Sequence, residues 1–167
     1  MSGAEYGKAS YWEERQDPEP FDWYQRYSGL KDILQQHVRK EDAILMVGAG
    51  NSRLAEDMNE DGYSNITCID SSKVVADAMH EKFTKERPAL RYTHMNANNL
   101  NFPDETYDVV IDKACLDSVL CGEGSTVNVT KMCNEISRVL KAHGLYFVVS
   151  YGAPENRLTF LEREDFS

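Results

Sequence analysis

Ile44-Leu45-Met46-Val47-Gly48-Ala49-Gly50-Asn51-Ser52 decides how this chain folds. An apolar run enters a turn carrying two glycines, and Asp70 lies 20 residues beyond Gly50, at the end of a second apolar run. The pattern reads as a buried strand, a tight turn, and a second strand that ends on an acid. Glycines at such a turn let backbone approach a ligand with no side chain in the way. A carboxylate closing the next strand accepts from both hydroxyls of a ribose. The stretch predicts a pocket for an adenosine-bearing cofactor.

The same alternation continues outward. Strands are expected over residues 43–47, 65–69, 90–94, 107–111 and 145–150. Residues 52–60 read as a helix with Leu54, Ala55 and Met58 on one face, stopped by Gly62. Ser72 caps a helix reaching Phe83, with Val74, Val75, Ala78, Met79 and Phe83 inward. Val129, Met132, Cys133, Ile136, Val139 and Leu140 form a helical stripe that Gly144 ends. Strands alternating with helices predict a doubly wound α/β fold with a mostly parallel sheet. Ligands in such sheets sit at the carboxyl ends of the strands, where strand order reverses. That gathers the glycine turn, Asp70, Met95-Asn96-Ala97 and Asp112-Lys113 around one crevice.

Ahead of the sheet, residues 5–28 hold Tyr6, Tyr11, Trp12, Phe21, Trp23, Tyr24 and Tyr27, divided by Pro18 and Pro20. This is too aromatic for a loose tail and is expected to pack on the domain. Residues 30–38 carry Leu30, Ile33, Leu34 and Val38 at helical spacing. The expectation is one domain over 1–167: an aromatic segment and helix (1–40) over the cofactor site, a βα core (41–152), and a short tail or helix (153–167).

Composition narrows the class. At 167 residues and 41% apolar, the chain can bury a globular core. No apolar run approaches the roughly 20 residues of a membrane span, and the polar start reads as neither a secretory signal nor a basic transit peptide. The reading is a cytoplasmic protein, with no membrane contact. Cys68, Cys115, Cys121 and Cys133 show no ligand spacing, so free thiols and no metal are expected. The formal charge of −10 argues against nucleic acid and suits a basic protein partner.

Two cofactor classes compete for the turn. A nicotinamide fingerprint wants Gly or Ala at the sixth position of GxGxxG, where this chain has Arg53. Tyr27 and Lys31 have the spacing of a dehydrogenase pair but lie before the turn. The GK[ST] of a phosphate-cradling loop is absent. S-adenosylmethionine fits better: it has no pyrophosphate, its ribose needs an acid, and its sulfonium favours carboxylates and aromatic faces.

Tyr11-Trp12, Phe21-Asp22-Trp23-Tyr24, the Val47–Ser52 turn, Asp108-Val109-Val110-Ile111-Asp112-Lys113, Leu116-Asp117 and Ser137-Arg138-Val139-Leu140 resemble a eukaryotic group of class I methyltransferases. That group includes the methyltransferase-like proteins that modify elongation factor 1-alpha on lysine. The resemblance implies a Rossmann-like fold that binds S-adenosylmethionine. It implies Trp12 and Trp23 near the cofactor, Gly48, Ala49, Gly50 and Asn51 in the turn, Asp70 on the ribose with Ser71 next to it among the cofactor-binding residues, Asn96 and Ala97 at the adenine, and Lys113 lining the site. The chain departs from the group at Ala49 (usually Cys), Asn96 (usually an acid), and Ala114-Cys115 (usually Gly-Thr). It also has little sequence after the fifth strand for the antiparallel strand pair that usually completes the sheet. An open sheet edge is therefore expected, with the possibility of self-association through it.

Methyl transfer to lysine needs a deprotonated amine, and Asp112 and Asp117 are the expected catalytic residues, orienting it. A protein-lysine methyltransferase acting on a basic protein, elongation factor 1-alpha by resemblance, is the leading expectation. A non-catalytic binding module and a small-molecule methyltransferase stand as alternatives, with a dehydrogenase third.

Overall fold

A computed structural model describes residue 6, residues 8–14 and residues 20–162. Pro18 and the last five residues of the expected tail lie outside the described residues. Along the chain run α1 (Ala9–Glu14), α2 (Tyr27–His37), β1 (Ile44–Val47), α3 (Leu54–Glu60), β2 (Ile66–Asp70), α4 (Lys73–Phe83), β3 (Leu90–His94), β4 (Tyr107–Lys113), α5 (Cys115–Leu120), α6 (Ser125–Val139), β5 (Leu140–Val149) and α7 (Pro154–Leu161). Among the described residues no helix is long and apolar enough to cross a membrane.

The five strands form one sheet in the order β3-β2-β1-β4-β5. Every neighbouring pair is parallel. The expected α/β architecture is therefore present, and the sheet is parallel throughout. Strands buried on both faces need apolar residues at consecutive positions, and β1 is buried at all four of its residues. Its alternate side chains enter opposite layers. Ile44 and Met46 pack with Leu34, Met58 and Phe83 under α2, α3 and α4. Leu45 and Val47 pack with Val129, Met132 and Ile136 of α6.

After β1 the chain builds outward to β3 and then returns to the other side of β1 with β4. The order therefore reverses between β1 and β4, and their carboxyl ends open a crevice there.

Several local expectations shift. Ile33 is 46% exposed, and Tyr27, one turn before Leu30, is in the core instead. Val74 and Ala78 do not enter the core; they form a wall of the crevice. Ser72 caps α4 as expected, its hydroxyl accepting from the Val75 amide at 3.3 Å. Gly144 does not end α6. Leu140 already pairs with Tyr107, and the pairing then jumps to Val109 with Leu145. The residues between bulge, with His143 at φ +64°. Gly144 sits where a Cβ would come within 2.8 Å of the Lys141 carbonyl oxygen, so the bulge needs a residue without one. The short helix α5 was not foreseen, because its six residues are too few for a periodic signal.

Arg138, part of the quoted resemblance, is a brace. Its guanidinium reaches the carbonyls of Leu100 and Phe102 at 2.8 and 2.7 Å, Asp104 at 2.9 Å, and Glu135 at 3.0 Å. It ties the loop before β4 to α6.

Candidate active site

The turn after β1 needs its glycines for two different reasons. Gly48 and Gly50 have φ of +58° and +54°, the left-handed region that costs side-chain-bearing residues energy. A Cβ on Gly48 would meet Cys115 Cβ at 2.8 Å, so this glycine lets α5 press against the turn. A Cβ on Gly50 would meet no protein atom within 4 Å, and Gly50 lines a cavity of about 790 Å³. There the missing side chain leaves room for a ligand. Asp70 is tied to the turn: the Gly50 amide donates to Oδ2 at 2.9 Å and the Ser72 amide to Oδ1 at 2.8 Å. The latter contact also helps start α4, so a helix-starting role and a ligand role coexist in one carboxylate.

Trp12, Trp23, Gly48, Ala49, Gly50, Asn51, Asp70, Ser71, Asn96, Ala97 and Lys113 all line this cavity. The fold thus brings together every residue expected to face the cofactor. Asn96 and Lys113 have polar groups engaged within the protein. Asn96 turns its Oδ1 back to accept from the Asn98 amide at 2.9 Å. The Lys113 ammonium donates to Asp22 Oδ1 at 2.6 Å and to the Gln25 carbonyl at 2.7 Å.

That second contact fastens a strap, residues 20–26, across the crevice. The Lys113 and Asp22 side chains are only 5% and 10% exposed. Ser52 also donates to Asp22, and the Phe21 amide donates to Asn51 Oδ1 at 3.1 Å. Burial alone would raise the Asp22 pKa, but the hydrogen bonds from Lys113 and Ser52 and the lysine charge outweigh it and hold the carboxyl below its ordinary value. The strap places Trp23 edge-on to Trp12, ring centroids 6.2 Å apart.

A second cavity, about 410 Å³, adjoins the first and shares Tyr6, Trp12, Trp23, Ala114 and Ser118 with it. Its other walls include Tyr24, Tyr151, Asp117 and Arg157. Asp117 sits in the first turn of α5 and is 9% exposed. It accepts from Tyr24 Oη at 2.7 Å, Ser150 Oγ at 2.5 Å, the Tyr151 amide at 2.8 Å and Arg157 Nε at 3.3 Å. Burial pushes its pKa up, but these donors and the arginine charge prevail, so the carboxyl lies below its usual value. Tyr24 moves the other way, raised first by burial and then by Asp117, which keeps the phenol protonated.

Asp112 is a correction. It is fully buried and lines neither cavity. Its oxygens accept from the Cys115 amide at 2.8 Å, the Leu116 amide at 3.1 Å and Tyr146 Oη at 2.6 Å. A carboxylate at the start of α5, with its oxygens so engaged, is a structural staple and cannot reach an amine in either cavity. Burial raises its pKa to about 6, against the opposing pull of these hydrogen bonds.

Asp22, Tyr24, Asn98, Asn128, Tyr151 and Arg157 were not foreseen as site residues. Asp22 and Tyr24 sit within the quoted Phe21–Tyr24 motif; nothing local marks the others.

Fold and cavity together define a ligand-binding α/β domain with its cavity at the reversal of strand order. The family model described as a methyltransferase domain matches residues 45–148. The chain is 36% identical over 154 residues to the "eEF1A lysine and N-terminal methyltransferase" of Mus musculus, covering 89% of this chain and 22% of that protein. It is 34% identical over 164 residues to the "EEF1A lysine methyltransferase 4" of Bos taurus, covering 91% of this chain and 64% of that protein. A SAM-dependent methyltransferase structure from Methanosarcina mazei superposes with a TM-score of 0.62 at 20% identity, over 84% of this chain and 63% of that one. The chain belongs to the methyltransferase-domain family. It spans less than two thirds of the length of either relative.

The cofactor of this class is S-adenosylmethionine, and the larger cavity fits it. Gly50 leaves space that a methyl group would fill, Asp70 offers a carboxylate beside that space, and Trp12 and Trp23 supply faces suited to a cation.

Proposed function

We propose that this chain transfers a methyl group from S-adenosylmethionine to an amine of a protein, a lysine side chain in the first instance. The observation that carries this reading is the second cavity, with its aromatic walls and one carboxylate, joined to the cofactor cavity at Trp12, Trp23 and Ala114. The printed names of the relatives support lysine as acceptor and make elongation factor 1-alpha the first candidate. The formal charge of −10 favours encounter with a basic surface, in keeping with a cytoplasmic enzyme.

When bound, the cofactor supplies an electrophilic methyl on a positively charged sulfur. The residues of this chain have three tasks. Trp12 and Trp23, where the two cavities meet, exclude water and disfavour an ammonium, which lowers the pKa of an entering amine. Asp117 places its negative charge on the wall of that cavity and draws the cationic amine in and orients it through its field; Tyr24 and Ser150 fix the carboxylate while it does so. The strap holds the aromatic walls in place, and positioning of this kind accounts for most of the rate.

The test offers the purified chain labelled S-adenosylmethionine with a protein extract and, separately, with a small-molecule extract. Label is expected in protein, on lysine by mass spectrometry. Asp117→Asn should lower turnover at least about tenfold with cofactor affinity unchanged. Label confined to small molecules would reassign the acceptor, and absence of cofactor binding in calorimetry would leave a protein-contact module. Among the described residues β3 and β5 each have an outer edge with no strand partner; self-association through such an edge is tested by sedimentation.

A further inference from the structure

The second cavity carries charge of both signs. Among its described walls Asp117 is the acid and Arg157, on α7, is the base. Arg157 is held in a fixed place. Its Nε donates to Ser150 Oγ at 3.0 Å and to Asp117 Oδ1 at 3.3 Å. Its guanidinium lies against Gly152, where a Cβ would come within 2.3 Å of Cζ and 2.4 Å of Nη2. Gly152 is not among the glycines at positive φ. What its missing side chain supplies is therefore room for the guanidinium, not a backbone conformation.

A tether for α7 would need no more than the bonds through Nε. That helix has no buried residue of its own, and those bonds fasten it to the segment after β5 and to α5. They use a single donor of a group that has several. The donors on Nη1 and Nη2 find no acceptor among the described residues, although the side chain is only 22% exposed. A planar cation fixed in a cavity with its terminal donors unused suits a carboxylate, which takes two of them side by side. It is also an exception in a chain whose formal charge is −10. Lys113, the cation of the cofactor cavity, is spent on Asp22 and the Gln25 carbonyl.

Resting on the assignment of a protein amine to the second cavity, we propose that Arg157 reads an acidic residue beside the target lysine. Its terminal nitrogens pair with that side-chain carboxylate while Asp117 draws the lysine amine. Two signs of charge on the cavity wall then match two signs on the ligand. At long range the acidic chain attracts a basic surface; at short range a neighbouring acid selects one lysine among the many such a surface offers. A lysine flanked by further lysines sets a cation against Arg157 and is disfavoured.

The test uses short acetylated and amidated peptides with one target lysine and either Asp or its isostere Asn as neighbour, placed on each side in turn. Labelled S-adenosylmethionine gives kcat/KM for each, and calorimetry on the chain loaded with S-adenosylhomocysteine gives affinities without turnover. The wild-type chain should favour the Asp peptide at least about tenfold on the side that Arg157 faces. Arg157→Gln should bring that ratio to about threefold or less. Arg157→Lys keeps the charge without the fork and should retain part of the preference. Gly152→Ala displaces the guanidinium and should lower the ratio partway. Each ratio is taken within one preparation, so partial unfolding of a variant cancels. Arg157 acting only as a tether would lower both peptides alike; a wild-type ratio kept in Arg157→Gln overturns the proposal. A wild-type ratio near one, with both peptides methylated, overturns the role of Arg157 and leaves the protein amine standing. Peptides that neither bind nor take label overturn the protein amine and the role of Arg157 with it.

Discussion

Replacing Lys113 with Met removes a charge from the middle of the site and should loosen the strap while sparing the sheet. Met fills nearly the same volume on β4, so the core under Leu34, Met58 and Val129 keeps its packing. What is lost is the pair of hydrogen bonds from the ammonium to Asp22 and the Gln25 carbonyl, at 2.6 and 2.7 Å. Hydrogen bonds to charged groups contribute about 1.5–3 kcal/mol each. Stranding a buried charge costs about 3–5 kcal/mol. The full penalty is not reached, because the strap can lift and return Asp22 to water. A net loss of about 2 kcal/mol in strap docking is expected, which corresponds to about a 30-fold weaker affinity for any ligand that needs the strap closed. Calorimetry with S-adenosylhomocysteine measures it, and tryptophan fluorescence follows Trp12 and Trp23. Asp22→Asn separates a latch from a direct contact, because Asp22 does not line the cofactor cavity. If the latch is real, both single variants lose affinity and the double variant loses little more than either. An Asp22→Asn variant with wild-type affinity beside a weakened Lys113→Met would refute the latch and make Lys113 a cofactor contact.

Further outcomes follow from the same geometry. Gly48→Ala drives a methyl into Cys115 and should destabilise the fold by about 2–3 kcal/mol in thermal melts, whereas Gly50→Ala should cost about 1 kcal/mol of stability from its backbone region and weaken cofactor binding more than it lowers the melting temperature. Ala114 occupies φ +77° at the mouth of both cavities, so Ala114→Gly should raise stability by about 0.5–1 kcal/mol in denaturant titration. In acid, two aspartates act in opposite senses. Asp61, bonded by Tyr27, Lys40 and Lys31, has its pKa lowered to about 2; the stability it contributes is complete above the ordinary carboxylate value and is lost as pH falls toward 2. Asp61→Asn should therefore flatten the stability curve between about pH 4 and 2. Asp112, raised to about 6, takes up a proton on folding. Its contribution favours the fold at low pH and declines as pH rises from about 4 to 6, and carboxyl titration by NMR should find its midpoint near the upper end.

The legible part of this protein was the part encoded by neighbours in sequence. Four consecutive apolar residues before Gly48 announced a strand buried on both faces, and the glycines at 48 and 50 announced the turn. Ser72 announced the start of α4. Each is a local fact: backbone conformation and strand alternation depend on residues a few positions apart. The residues gathered in the cofactor cavity were readable for the same reason, since a parallel sheet delivers every strand end to one rim.

Partner choice was not readable, because it is made between residues far apart in the chain. Asp112 and Asp117 lie five positions apart and looked alike; folding buries the first beneath Tyr146 and sets the second against Tyr24, 93 residues away. Lys113 has its neighbour Asp112 beside it in sequence and binds Asp22 instead, 91 residues away. Asn96 stands where the group usually has an acid, yet the turn it starts consumes its oxygen. The second cavity has walls from the N-terminal strap, α5 and the segment around α7, so no window of sequence contains it. Sequence alone determined the sheet, its turn and the rim where a ligand must sit. Tertiary structure decided which polar groups there are already satisfied and which remain to act, because hydrogen-bond satisfaction depends on distance in space.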